Sequence, residues 1–398
     1  MKIRKIKEKI IEGVLFSSST LTTLVIILIT LFLFKEGVGL FGKKPIANDL
    51  FVAVNKANPV TSLNADQMKD IFDQKITHWS DVGGKKDSII LISVNNLTDY
   101  FTEDLLDLPM IPLRLSELVD SFPNVLVYFP HSQLTKDFKG RELQIDKISL
   151  SSFLYGKSWY PTSEPVSSFG ILPMILGTLW VSVFAVIIAL ALGIPTAIFI
   201  SELAPRRVRL FLKPMIELLA GIPSVVYGFF GLVVIVPGIQ KLFNLPVGET
   251  ALAGSIILAL MALPTIISIS EDAMRNTPRI LKEASLALGA SKWQTIKNVV
   301  VPYSSSGILA AAVLGIGRAV GETMAVLMVT GNSAVIPHTL LQPVRTIPAT
   351  IAAELGETTM GGLHYKALFS LGIVLFIITL AVNLAAEWIL KKQKRRSR

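Results

Sequence analysis

Six long uncharged runs constrain this chain more than any other feature. They lie at residues 13–34, 165–201, 218–240, 250–270, 303–317 continuing through 323–330, and 367–386. About 20 apolar residues suffice to cross a bilayer as a helix. Hydrocarbon offers no water to backbone polar groups, so each run must satisfy them internally, as a helix does. The expected fold class is an all-α polytopic membrane protein with six transmembrane helices. A chain of 398 residues that is 51% hydrophobic and 17% charged fits that class and not an ordinary soluble domain.

Between the first and second runs the sequence changes character. Residues 35–164 carry a net charge of −3, against +12 for the remainder. Short apolar runs at 51–54, 89–94 and 125–129 read as strands. Residues 64–72, opened by an Asn64/Gln67 capping box, and 98–108 read as helices. Strands alternating with helices predict an inserted α/β lobe. Residues 1–12 are basic and precede the first run as a signal peptide's would. That run is nevertheless long and lacks a small-x-small cleavage site, so it reads as an uncleaved anchor.

The short connections set an orientation. Arg206, Arg207, Arg209 and Lys213 follow the second run. Arg275, Arg279, Lys282, Lys292 and Lys297 follow the fourth, and a basic tail from Lys391 follows the sixth. The other connections, at 241–249 and 331–366, are poor in Lys and Arg. The positive-inside rule then places both termini in the cytoplasm and the lobe outside. Gly193-Ile-Pro195, Gly221-Ile-Pro223, Pro237-Gly238 and Pro264 interrupt the spans, which must pack against protein to satisfy the freed backbone groups.

Residues 271–302, EDAMRNTPRILKEASLALGASKWQTIKNVVVP, are the long amphipathic segment of the apolar half. Thr277 reads as an N-cap with Pro278 at the first helical position. Gly289 reads as a left-handed stop. Ser291 with Gln294 reads as a capping box that opens a second helix, and Pro302 as its end. A helix–glycine–helix unit on the cytoplasmic side suits a protein contact.

Arg318 and Glu322 lie four apart inside the fifth run and are expected on one helix face. A lone Arg near a bilayer centre costs about 2.5–3.5 kcal/mol, so such groups face a bundle interior and often mark a substrate path. An anion path is one reading and a packing ion pair is the other. Arg345, in the outer connection, is a weaker candidate for attracting anions. Glu202 and Glu217 flank a basic turn and read as topology features. There are no cysteines, and the four histidines lack ligand spacing, so a metal site is not expected. No Gly-x-x-x-x-Gly-Lys-Ser/Thr loop is present, so no ATP site is expected on this chain. Nothing suggests nucleic-acid binding, because the basic tail follows a span and suits lipid headgroups.

Glu283-Ala284-Ser285, followed by Gly289 and by Val299-Val300-Val301-Pro302, resembles the EAA signature of ABC-importer permeases. The family has Ala and Leu where this chain has Ser285 and Val301. The resemblance implies that this loop docks on a separate ATPase subunit, with Glu283, Ala284, Gly289 and Pro302 as the matching positions. Arg-Ala-x-Gly-Glu-Thr at 318–323, the run at 213–232, Val-Arg-Thr-Ile at 344–347 and His-Tyr-Lys-Ala-Leu-Phe at 364–369 look like the phosphate (Pst) branch. They are closer to the first of its two permease subunits. Residues 58–84 look like one lobe of the phosphate-binding proteins that feed such importers. Those proteins carry a Gly-Ser-Gly-Thr-Arg type loop after the next strand. This chain has Asn95-Asn96-Leu97-Thr98-Asp99 there. The lobe is therefore expected not to bind phosphate by that mode.

The resemblance implies a permease domain over 165–398 and a set of partners. These are a second related permease subunit, two copies of an ATP-binding subunit carrying ATP and magnesium, and an extracytoplasmic phosphate-binding protein. Inorganic phosphate is the implied substrate and a bacterial plasma membrane the implied location. An importer for sulfate or molybdate, an ion-coupled secondary transporter and a ligand-sensing receptor stay open as alternatives.

Overall fold

The structure, a computed structural model, describes residues 2–46, 50–101 and 110–396. The chain divides into two compact units. One comprises residues 1–37, 172–360 and 368–398, and the other 38–171 with 361–367. Among the described residues, six helical segments are long and apolar enough to cross a membrane.

Helix α1 (Lys2–Val38) carries the first span. Its apolar side chains are exposed over most of its length, as expected of a helix solvated by lipid. Near Val38 it packs tightly on the last helix of the chain. The Ser370 hydroxyl donates to the Gly37 carbonyl at 2.7 Å. A side chain at Gly37 would collide with Ile373, so only glycine permits the approach. Phe32 and Phe34 meet Phe369 and Phe376 edge-on.

The second unit is an α/β lobe. Its elements are β1 (Leu50–Val54), β2 (Ser62–Leu63), α2 (Ala65–Phe72), β3 (Ile90–Ser93), α3 (Ile111–Ser121), β4 (Val125–Pro130), β5 (Arg141–Glu142), β6 (Gln144–Ile145), α4 (Leu150–Tyr155), β7 (Trp159–Tyr160) and β8 (Ser168–Phe169). The main sheet runs β3-β4-β1-β5, with β3–β4 parallel and the other pairs antiparallel. Alternation sends Val52, Val54 and Leu126 to one face, against Met68 and Ile71 of α2. It sends Ala53, Val125, Val127 and Phe129 to the other, against Leu115 and Val119 of α3. The expected strands and the Asn64/Gln67 box are present, with both box hydrogen bonds made. The expected helix over 98–108 is different. A 3₁₀ segment, Val94–Asp99, occupies its start, and residues 102–109 lie outside the described residues.

The first unit continues with α5 (Leu172–Ile198), α6 (Arg206–Ala220), α7 (Ser224–Phe230), α8 (Val236–Phe243), α9 (Ala251–Arg275), α10 (Arg279–Ala287), α11 (Lys292–Thr295), α12 (Val301–Gly321), α13 (Met324–Val329), α14 (Ile347–Glu354) and α15 (Leu363–Arg396). Val181, Ala185, Ile257, Leu258, Met261, Val326 and Val329 form its core. Three spans have boundaries that differ from the sequence reading; the fifth covers 292–321 and not 303–330. The second span begins at Leu172, because 165–171 form sheet pairings, Ile46 with Val166 among them. The third begins at Ser224, because Leu218 to Ala220 finish amphipathic α6 and Gly221-Ile-Pro223 turns the chain.

Three π-turns share one sequence setting. Phe199–Leu203, Gly231–Ile235 and Ile296–Val300 each end two residues before a proline: Pro205, Pro237 and Pro302. The residue just before each proline donates five positions back: Ala204 to Phe199, Val236 to Gly231 and Val301 to Ile296. At Pro205 the helix ends, with Ala204 extended, as a residue before proline favours. At Pro237 and Pro302 the helix continues: proline lacks an N–H and its ring clashes with the carbonyl four residues earlier, and a widened turn relieves both defects. Pro302 therefore does not end the helix it follows. Residues 292–321 run on as one span.

Candidate functional site

Two constellations stand out, a polar-bolted helical pair at 277–304 and a broken helix at 318–324.

In the first, α10 starts one residue later than expected. Pro278 is its cap, and buried Thr277 points inward, its hydroxyl 3.2 Å from that of Ser304. Gly289 sits at φ +85, the left-handed stop expected after α10. Ser291 and Gln294 form the expected box, with both hydrogen bonds made. The Ser285 hydroxyl lies 3.0 Å from that of Thr295, stapling α10 to α11. Lys282 Nζ donates to Glu202 Oε1 at 2.6 Å. Glu202 is thus an anchor for α10, not the topology feature expected, and its partner lies 80 positions away.

These internal ties leave the opposite face free. Glu283 and Ala284 are exposed, and so are Ile280, Leu281, Leu286, Leu288 and Trp293. Leu288, at 89% exposed, has no role inside this chain. Pro302 is also exposed but lies beyond the π-turn. Exposed apolar side chains around a carboxylate, on a pair of helices tied to each other, have the composition that protein interfaces use.

Behind this unit, Glu271 is buried to 2% exposure at the end of α9. Lys213 of α6 donates to it at 2.6 Å and to Asp272 at 3.0 Å, and Arg275 stands 3.9 Å from Glu271. The hydrogen bond to Glu271 raises the Lys213 pKa above the usual 10.5. This tie was not read from the sequence, since 58 positions separate its ends.

The second constellation corrects the expected pair. Helix α12 stops at Gly321, and Glu322 is extended, with φ −71 and ψ 135. Arg318 and Glu322 therefore do not share a helix face, and among the described residues they form no ion pair. Glu322 Oε1 instead accepts from the Ala325 amide at 3.4 Å, while Arg318 Nη1 reaches Thr265 Oγ1 at 3.5 Å. Arg318 sits in the last turn of α12, where a cation complements the helix dipole. The break falls where the 292–321 span ends, and helix resumes in α13 at Met324. Arg345 is held elsewhere, by Glu354 of α14 at 2.8 Å. Among the described residues no group of His, Asp or Glu is arranged to hold a metal.

In the lobe, the loop after β3 is closed by Asn96. Its carbonyl oxygen accepts from the Ser93 amide at 2.6 Å, and its amide donates to the Leu91 carbonyl at 3.0 Å.

Comparison with known proteins agrees with these features. Residues 191–398 match the family profile described as "Binding-protein-dependent transport system inner membrane component". Residues 35–125 match a PBP superfamily domain. The chain is 43% identical over 251 residues to the probable ABC transporter permease protein YqgH of Bacillus subtilis, covering 63% of this chain and 81% of the relative. It is 40% identical over 260 residues to a phosphate transport system permease protein PstC of Mesorhizobium japonicum, covering 61% and 78%. It is 37% identical over 292 residues to the protein of that name from Xylella fastidiosa, covering 68% and 88%. With six membrane-crossing helices, a free-faced helical pair and more than half its length matched by the profile, this chain belongs to the inner membrane components of binding-protein-dependent transport systems.

Proposed function

We propose that the chain is a transmembrane permease subunit of an ATP-driven ABC importer for inorganic phosphate. The observation that carries this is the pairing of a free-faced 277–304 unit with relatives named for phosphate transport at 37–40% identity. The chain forms half of the translocation path, opposite a second related permease subunit. Two copies of a separate ATP-binding subunit hold ATP and magnesium and dock on Glu283, Ala284 and the apolar side chains around them. Gly289 sets the angle of that surface, and Pro302 lies where it passes into the span. A separate phosphate-binding protein delivers the substrate. Both termini lie in the cytoplasm of a bacterial cell and the lobe outside, and lipid solvates α1.

Arg318, beside the break at Glu322, supplies positive charge to the path, and Arg345 contributes at the outer connection. The lobe does not bind phosphate through its β3 loop, because Asn96 already occupies the Ser93 amide and Asp99 repels an anion.

The test is reconstitution in proteoliposomes with the cognate ATPase, second permease and binding protein. Phosphate should stimulate ATP hydrolysis and enter the vesicles. Stimulation by sulfate or molybdate but not phosphate would sink the phosphate assignment. Arg318→Gln should reduce uptake with the complex intact; unchanged uptake would make Arg318 a packing residue.

A further inference from the structure

Helix α10 has two sides. Glu283 and Ala287, four apart, face outward, and Lys282 and Ser285, three apart, face the other way, onto Glu202 and Thr295. The Lys282 and Glu202 side chains are only 22% and 12% exposed. Both ends of this pair are held. Lys282 lies in a helix stapled to α11 by Ser285 and Thr295 and to α12 by Thr277 and Ser304. Glu202 lies in the π-turn that finishes α5. The Arg209 guanidinium donates to the Ile200 and Ser201 carbonyls beside it, both at 2.9 Å. Among the described residues, this pair is the one polar tie between α10 and the second span.

The far end of α5 is also tied. The Thr178 hydroxyl accepts from the Ile347 amide at 3.0 Å, two residues after Arg345. Gly177 lies so close to the Arg345 carbonyl that a side chain would not fit. At 1.5 Å per residue, the 24 residue steps from Thr178 to Glu202 make a rod of about 36 Å between these ties. A rod seated on a short, partly buried ion pair moves with it, because separating the pair would leave two largely covered charges without their partner.

We propose that Lys282 and Glu202 are positioning residues that form a strut, delivering movement of the 277–304 unit along α5 to the Arg345 segment. The strut rests on the reading of that unit as the ATPase contact. It gives ATP a second output, separate from the covalent continuation into α12 and Arg318.

The assembled transporter tests this with Lys282→Gln, Glu202→Gln and the exchange Lys282→Glu/Glu202→Lys. The chain has no cysteine, so spin labels on Leu192→Cys in α5 and Leu314→Cys in α12 report the α5–α12 distance without interference. Both sites are exposed. In the wild type that distance should change on adding ATP. Each single variant should retain the ATPase subunit on purification, lose the distance change, and move at least about fivefold less phosphate per ATP, the lower end of ordinary coupling between sites. The exchange should restore both readings. A wild-type distance change in Lys282→Gln overturns the strut, and so does loss of the ATPase subunit from that variant, which would make Lys282 a docking residue. A normal wild-type distance change without phosphate uptake would overturn the phosphate reading and leave the strut standing.

Discussion

The 277–304 unit and the lobe solve opposite problems with the same kinds of residue. In the helical unit, Thr277, Ser285, Ser291 and Thr295 spend their hydroxyls inward, on Ser304, one another and the backbone. The outward face stays apolar and free. In the lobe, the polar side chains close the loops instead. Asn96 plugs the turn after β3. Asn55 accepts from the Ala57 amide and donates to the Val119 and Asp120 carbonyls, and Arg141 donates to the Asn58 and Val60 carbonyls. Short polar side chains at turns satisfy backbone groups in both places. The difference lies in what they leave open, an exposed apolar helical face in one region and closed turns in the other.

The hardest blow to this contrast should come from Glu283→Arg. A reversed charge at the centre of a docking face costs about 2–5 kcal/mol, so uptake should fall at least about tenfold with the chain still in the membrane. Normal uptake would remove the docking role. On the lobe side, Asn96→Ala removes the hydrogen bond that the Ser93 amide donates across the loop and should cost the lobe about 0.5–1.5 kcal/mol. Hydrogen exchange at the β3 amides reads that loss. Neither form should bind phosphate by calorimetry on the purified chain, and measurable affinity in the wild-type lobe would erase the contrast.

Local effects sharpen it. Gly289→Ala forces a Cβ into the left-handed region and should cost about 1–2 kcal/mol locally, read as faster exchange at Ala290 and Ser291. The smallest response concerns pH. The folded pKa of Lys213 is raised, so the stability it gives is complete below the unfolded value of 10.5 and is lost only as pH rises through the higher folded value. Thermal stability should therefore owe no pH dependence to the Lys213–Glu271 tie near neutrality. A change between neutral and mildly alkaline pH that Lys213→Gln abolishes would contradict this.

Local chemistry was legible in the sequence where one turn of chain contains it. The Asn64/Gln67 and Ser291/Gln294 boxes and the Gly289 stop lie within four residues of their partners. The strands of the lobe and the six spans follow from hydrophobic pattern alone. Ties such as Lys282–Glu202 and Lys213–Glu271 are set by packing between distant segments, so no periodicity announces them. Arg318 and Glu322 failed for another reason. Spacing predicts a shared face only if the helix continues, and here the backbone turns out of the helix after Gly321. Ser285, a departure from the family signature, proved to hold α10 to Thr295.

The wide turn before Pro302 has a geometric consequence. It holds one residue more than a turn of ordinary helix needs. Were Pro302 replaced by alanine and the turn to tighten, everything on the α11 side would rotate by about 100° relative to α12, the angle of one residue. The exposed face of α10 would then look in another direction with none of its own residues altered. The proline acts as a compass setting, fixing the bearing of the helical pair relative to α12.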